Sequence, residues 1–231
     1  MIRGIPLIDI AAFGAFLALW VGYTALAEHR TMLGRSLSAV MTRHRRVWMR
    51  AFCDRENRVA DGTFVSALMR SVSFFASTSI LALGGLVALM GAGEHAFIVY
   101  KELPFAGDSG LEAFEMKVLL LAVIFVYAFF QFTWSLRQFN YCCILMGAAP
   151  LPSAEDSVKE SFATHSARLQ SLAANSFNRG LRAHYFALAM ILWFVDTWAF
   201  LAAGALVIGV LYRREFRSKS LSTLADGLEG Q

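Results

Sequence analysis

Four long apolar stretches constrain this chain more than any other feature. They run from about Ile5 to Ala27, Val72 to Ala92, Val118 to Trp134 and Ala183 to Tyr212. A helix needs about 17–25 apolar residues to cross a hydrocarbon core ~30 Å thick. Lipid offers the backbone no hydrogen-bond partner, so a spanning segment is a helix or part of a closed barrel. A barrel is written as short alternating segments, whereas here the apolar residues come in runs. Composition agrees: 57% of the 231 residues are hydrophobic and 16% charged, with a mean hydropathy of +0.53. The expected fold class is an all-α membrane protein with about four transmembrane helices, at about 5–27, 72–92, 118–147 and 183–212. Residues 1–217 form one helical domain in this reading, and 218–231 a flexible polar tail. The first stretch ends on Ala25-Leu26-Ala27, which fits a cleavage pattern. Its length and the following Glu28-His29-Arg30 favour a retained helix instead.

The connecting segments set the orientation, because Lys and Arg resist translocation. Eight arginines lie between the first two stretches, from Arg30 to Arg58. The third connection carries Lys159, Arg168, Arg179 and Arg182, while the second is mostly acidic. The first and third loops are therefore expected in the cytoplasm. With four crossings both termini lie outside, which conflicts with the basic tail of Arg213, Arg214, Arg217 and Lys219. Either the tail is exported despite its charge, or the number of crossings is different. A broken helix near Asp196 would return it inside. The reading adopted is one long, tilted fourth crossing.

Two loop helices are expected. From about 32 to 53, Leu33, Leu37, Val40, Met41, Val47, Trp48 and Phe52 fall at helical spacing, and Arg35, Arg43, Arg46 and Arg50 lie opposite. That is the pattern of an amphipathic helix in the interface or docked on the bundle, with Trp48 as anchor and the arginines on anionic lipid headgroups. The same arginines lack any nucleic-acid-binding fold around them, so no nucleic acid is expected as partner. A second, cytoplasmic helix is expected at about 155–177, opening on Glu155 and Asp156 and broken by Asn178-Arg179-Gly180.

Polar residues at membrane depth mark sites or structural pairs. Trp20 and Tyr23 of the first helix, Ser77, Thr78 and Ser79 of the second, and Gln131, Ser135, Arg137 and Asn140 of the third all fall toward the cytoplasmic ends. They suggest a hydrated, inward-facing cavity. The competing reading is that these hydroxyls bond their own helix backbone and the arginines snorkel. Asp196 stands alone within the fourth stretch, either functional, structural or at a helix break. Small residues recur every fourth position, at Gly14, Ala18 and Gly22 and at Gly84, Ala88 and Ala92, and let helices approach closely within the chain or between copies.

Catalytic chemistry is not written here. His29, His44, His95, His165 and His184 are dispersed. No nucleophile elbow, phosphate loop, metalloprotease or dinucleotide motif occurs. Cys53, Cys142 and Cys143 have no metal-site spacing. No cofactor, metal or catalytic residue is expected.

The chain also resembles a bacterial membrane family catalogued as domain of unknown function number 599. The resemblance is carried by Arg46-x-Trp48-Met49 with Arg55, Arg58 and Asp61, by residues 74–79, by Trp134-Ser135-Leu136-Arg137-Gln138-Phe139-Asn140-Tyr141, by Asn178-Arg179-Gly180 with Tyr185-Phe186-Ala187, and by residues 211–216. It covers most of residues 10–217 and implies a multi-pass protein of the bacterial inner membrane. It implies no reaction or ligand. The expected function is a non-enzymatic membrane protein that assembles with itself or with other membrane proteins. The alternative is a channel or transporter for small ions or solutes, and a lipid-acting enzyme comes third.

Overall fold

A computed structural model describes residues 7–34, 36–107 and 109–229. The chain is all-helical: α1 (Leu7–Met32), α2 (Leu37–Asp54), α3 (Val59–Lys101), α4 (Leu111–Gly147), α5 (Asp156–Ile191), α6 (Thr197–Phe216) and α7 (Lys219–Glu229), with no strand among the described residues. Among the described residues three helices, α1, α3 and α4, are long and apolar enough to cross a membrane. Leu81, Phe130, Leu188 and Leu206 point out of the bundle, which suits a lipid surround and not water.

The bundle has two ends, named here for residues that mark them. At the Asp9 end, the start of α1 meets the α5–α6 junction: Trp193 Nε1 and Thr197 Oγ1 donate to Asp9 Oδ1 at 3.0 and 2.6 Å. At the Arg58 end, Arg58 Nη2 donates to Pro150 O just after α4 at 2.7 Å. Arg30, near the end of α1, reaches the Tyr212 hydroxyl near the end of α6 at 3.4 Å. So α1 and α6 run parallel, α3 and α5 run the other way, and α4 runs with α1.

The fourth apolar stretch corrects the sequence expectation. No single helix covers 183–212, and nothing breaks at Asn178-Arg179-Gly180. Instead α5 runs unbroken from Asp156 to Ile191, absorbing the helix expected at 155–177. At 1.5 Å per residue it is ~54 Å long. The reason is packing. A Cβ built at Gly180 would lie 2.5 Å from Phe132 Cε1 of α4. A helical glycine costs ~1 kcal/mol against alanine, and here the close approach of a buried ring offsets it. The break comes later, in a 3-10 turn at Leu192–Phe194. Asp196 then caps α6, its Oδ1 accepting from Ala199 N at 2.8 Å. Asp196 is thus an exposed helix cap at the Asp9 end, not a charge inside a crossing.

Opened backbone at such a place needs other partners. Phe194 O accepts from Gly107 N at 3.1 Å and from the Tyr100 hydroxyl, and Trp193 O accepts from Lys117 Nζ at 3.0 Å. Gly107 fits because a Cβ there would lie 2.9 Å from Val195 O.

The remaining expectations shift in smaller ways. α3 extends well beyond 72–92 at both ends, but it kinks at Gly93, whose φ of 52° and ψ of −128° suit glycine. α4 begins at Leu111, not 118, and ends at Gly147 as expected. α1 continues past Ala27 to Met32. The helix expected at 32–53 starts only at Leu37, where Ser36 Oγ accepts from Ala39 N at 3.1 Å. The tail expected to be flexible from 218 contains α7, and Ser218 Oγ accepts from Leu221 N at 3.2 Å at its start. Residues 230 and 231 lie outside the described residues. α7 rests on α2, with His44 Nε2 and Leu224 O 2.8 Å apart.

The core is aromatic. Phe16 of α1 lies 4.7 Å from Phe200 of α6 and 5.4 Å from Phe186 of α5, centroid to centroid. Trp193 stacks on Phe200 at 4.9 Å. Such ring pairs add ~0.5–1.5 kcal/mol each beyond burial. The ladders Gly14-Ala18-Gly22 and Gly84-Ala88-Ala92 are exposed, and a Cβ at Gly14, Gly22 or Gly84 would meet nothing within 4 Å.

Candidate functional site

A cleft of about 340 Å³ opens at the Arg58 end. α5 forms its back wall, α3 and α6 its sides, and α2 its floor. α2 can serve as a floor because its apolar side, with Val40, Met49 and Phe52 buried, docks on α5. Thr42 Oγ1 donates to Ser171 Oγ at 3.0 Å along that seam. Docking turns Arg45 and Ser38 toward the cleft.

The back wall follows from helical spacing. Asn175, Asn178, Arg182 and Tyr185 lie at i, i+3, i+7 and i+10, one face of a continuous helix, and all four line the cleft. Tyr23 of α1, Ser71 of α3, Gln170 of α5 and Arg214 and Glu215 of α6 complete its polar set. Leu68 and Val72 of α3, Phe177 and Leu181 of α5 and Leu211 of α6 supply apolar surface.

Three guanidinium groups border this space. Arg45 Nη1 donates to Ser171 Oγ at 3.3 Å. Arg214 Nη1 donates to the Tyr185 hydroxyl at 3.1 Å. The Arg182 guanidinium lies 5.6 Å from the Tyr23 ring centroid. The single lining carboxylate, Glu215, accepts from Ser38 N at 3.1 Å. Among the described residues, none of these arginines forms an ion pair with a carboxylate. Burial pulls the Arg45 guanidinium below its ordinary pKa, yet arginine stays protonated in proteins. A partly desolvated cation without a carboxylate favours an incoming anion, which would restore the lost solvation.

Of the polar residues singled out by sequence, Tyr23 lines the cleft. Trp20 stacks on Phe186 at 5.3 Å in the core. Ser77 is exposed on α3. Thr78 and Ser79 donate to the carbonyls of Phe74 and Phe75 at 2.9 and 2.8 Å, the self-bonding reading. Gln131 is half-buried on α4. Ser135 donates across to Ala173 O at 2.8 Å and so pins α4 to α5. Arg137 and Asn140 are exposed, and Arg137 Nε donates to the Tyr141 hydroxyl at 2.8 Å.

Of the expected headgroup contacts, Arg35 lies outside the described residues and Arg43 is exposed. Arg46 Nε donates to Glu160 Oε1 at 2.7 Å, and Arg50 bridges Asp54 and Asp156 at 2.6 Å each. Trp48 Nε1 donates to Asp61 Oδ1 at 2.6 Å, so its polar edge is turned into the fold.

Sequence reasoning missed Arg45, Arg182, Arg214 and the asparagines. The break assigned at Asn178-Arg179-Gly180 cut the α5 stripe of Asn175, Asn178 and Arg182 in two. It also missed a buried cluster at the Asp9 end. There Lys117 Nζ lies 3.4 Å from Asp9 Oδ2 and donates to Ser109 Oγ at 2.8 Å. Among the described residues no group of three or more His, Cys, Asp or Glu side chains is placed to hold a metal ion.

No curated protein and no solved structure matches the chain. Residues 11–220 match the family described as "Protein of unknown function, DUF599", and the chain belongs to that family.

Proposed function

We propose that this is a multi-pass protein of the bacterial inner membrane whose Arg58 end faces the cytoplasm and whose cleft binds an anionic ligand. The observation that carries the reading is the set Arg45, Arg182 and Arg214 around one cavity, unpaired with carboxylates among the described residues. The orientation rests on charge. The described arginines of the first connection and the basic tail after α6 lie at one end, because the chain turns at Leu192–Phe194. Five passages, α1, α3, α4, the second half of α5 and α6, remove the conflict between the tail and its side. A fluorescent protein fused after Gln231 then fluoresces, as cytoplasmic fusions do. A silent fusion, with an exported reporter active at the same place, overturns the orientation.

Binding is favoured over open conduction. Beyond the cleft, Phe16, Trp20, Phe186 and Phe200 pack against one another as an aromatic layer. The test is stabilisation of the purified protein by inorganic phosphate or sulfate, against chloride at equal ionic strength. The gain in melting temperature is expected in the wild type and lost in Arg45→Gln with Arg182→Gln. Equal melting in all three salts removes the anion reading.

Assembly is a second reading, favoured by the outward-facing ladders. Gly14→Cys would crosslink between copies in native membranes, and a chain that stays monomeric under those conditions counts against it.

A further inference from the structure

We propose that the anion held in the cleft is the phosphate of an anionic membrane lipid, entering sideways between α3 and α6. This rests on the anion reading above and names the ligand's source. Three observations point to it.

The cleft is open on its bilayer side. α3 packs chiefly on α4, while α6 packs on α1 and α5, and no extensive packing joins α3 to α6 among the described residues. Between them lies the α5 stripe of Asn178, Arg182 and Tyr185, each half-buried and lining the cleft. A water-borne anion needs no such slot, whereas a lipid diffusing in the leaflet does.

The lining is amphipathic. Arg45, Arg182 and Arg214 supply the cationic part. Leu68, Val72, Phe177, Leu181 and Leu211 supply apolar surface in the same cavity. A bare inorganic anion gains nothing from five apolar side chains. A phosphate ester with its glycerol and the first carbons of its chains uses both kinds of surface.

Size fits the head and excludes the tails. At ~30 Å³ per water, 340 Å³ corresponds to about eleven waters. That space takes a phosphodiester headgroup, so the acyl chains must leave through the opening into the bilayer. The exposed Leu68 on α3 stands at that edge.

The headgroup attraction expected for any basic membrane surface is a different thing. Arg46 and Arg50 on the outer face of α2 are already paired with Glu160, Asp54 and Asp156. Arg46, with the neighbouring exposed Arg43, serves as the control surface.

The experiment is native mass spectrometry of the full chain released from nanodiscs of equal parts phosphatidylglycerol and phosphatidylethanolamine. The wild type is expected to retain one phosphatidylglycerol at least tenfold over phosphatidylethanolamine. Arg45→Gln with Arg182→Gln is expected to lose that preference, and Arg43→Gln with Arg46→Gln to keep it. Leu68→Trp narrows the slot without touching a guanidinium. It is expected to lose the lipid while inorganic phosphate still raises its melting temperature, which also shows that the variant is folded.

Equal retention by the cleft variants overturns the proposal in favour of surface lipid. Stabilisation of the wild type by inorganic phosphate without retained phosphatidylglycerol overturns the lipid source and leaves the anion site standing. Neither effect overturns both.

Discussion

Two lysine–aspartate pairs, one at each end of the bundle, separate distance from worth. At the Asp9 end, Lys117 and Asp9 are 3.4 Å apart and each side chain is 3% exposed. At the Arg58 end, Lys159 and Asp54 are closer, at 2.8 Å, but Asp54 is 53% exposed. The shorter bond is the weaker one in stability terms. Water already solvates Asp54, so bringing Lys159 to it gains little. The buried pair has nothing else to turn to. Lys117 also holds Ser109 and Trp193 O, while Asp9 also accepts from Trp193 and Thr197. That network fastens α1 and α4 to the junction where the chain turns back.

The largest expected effect therefore comes from leaving one member of the buried pair alone. Lys117→Met strands the Asp9 carboxylate and removes the donor to Trp193 O. Losing one partner of a buried pair costs about 3–5 kcal/mol. Thermal unfolding in mild detergent should show a large drop in melting temperature. Adding Asp9→Leu to Lys117→Met should recover much of it, since a buried pair replaced by apolar residues is often close to neutral. A single Lys117→Met variant that melts like the wild type would mean the pair is hydrated and its burial irrelevant.

These two ends were not equally legible. The apolar runs announced the all-helical membrane class, because lipid leaves the backbone few choices. The amphipathic period of α2 was visible for the same local reason. The α5–α6 junction was not. Asn178-Arg179-Gly180 looks like a helix break, and what overrides it, the Phe132 ring against Gly180, is distant in sequence. Asp196 looks like a charge inside a crossing until the 3-10 turn before it is known. It then reads as an ordinary N-cap, an aspartate accepting from the amide three residues on. The cleft followed the same fate. Of the polar helix ends that suggested a cavity, Tyr23 alone lines it, and its arginines come from three helices that only tertiary packing brings together. Ser135 shows the opposite error, a polar residue that sequence offers as a site and the fold uses as an α4–α5 fastener.

The smaller effect tests the exposed pair. Asp54 is the last residue of α2, where the helix dipole disfavours a carboxylate. Its hydrogen bond to Lys159, with Arg50 beside it, nevertheless holds its pKa below the ordinary aspartate value of 3.8. A depressed carboxylate pKa stabilises the folded state above the unfolded value, and that contribution fades as pH falls through the folded value. The pair should therefore matter at neutral pH and disappear in acid, below about pH 4. Asp54→Asn removes the titrating group. The difference in melting temperature between wild type and Asp54→Asn should be small at pH 7, far below that of Lys117→Met, and should shrink toward zero in acid. A difference that instead grows on acidification would reverse the sign of the linkage. A pH 7 difference as large as that of Lys117→Met would show that the exposed pair is solvated far less than its surface position implies, and would erase the contrast between the two ends.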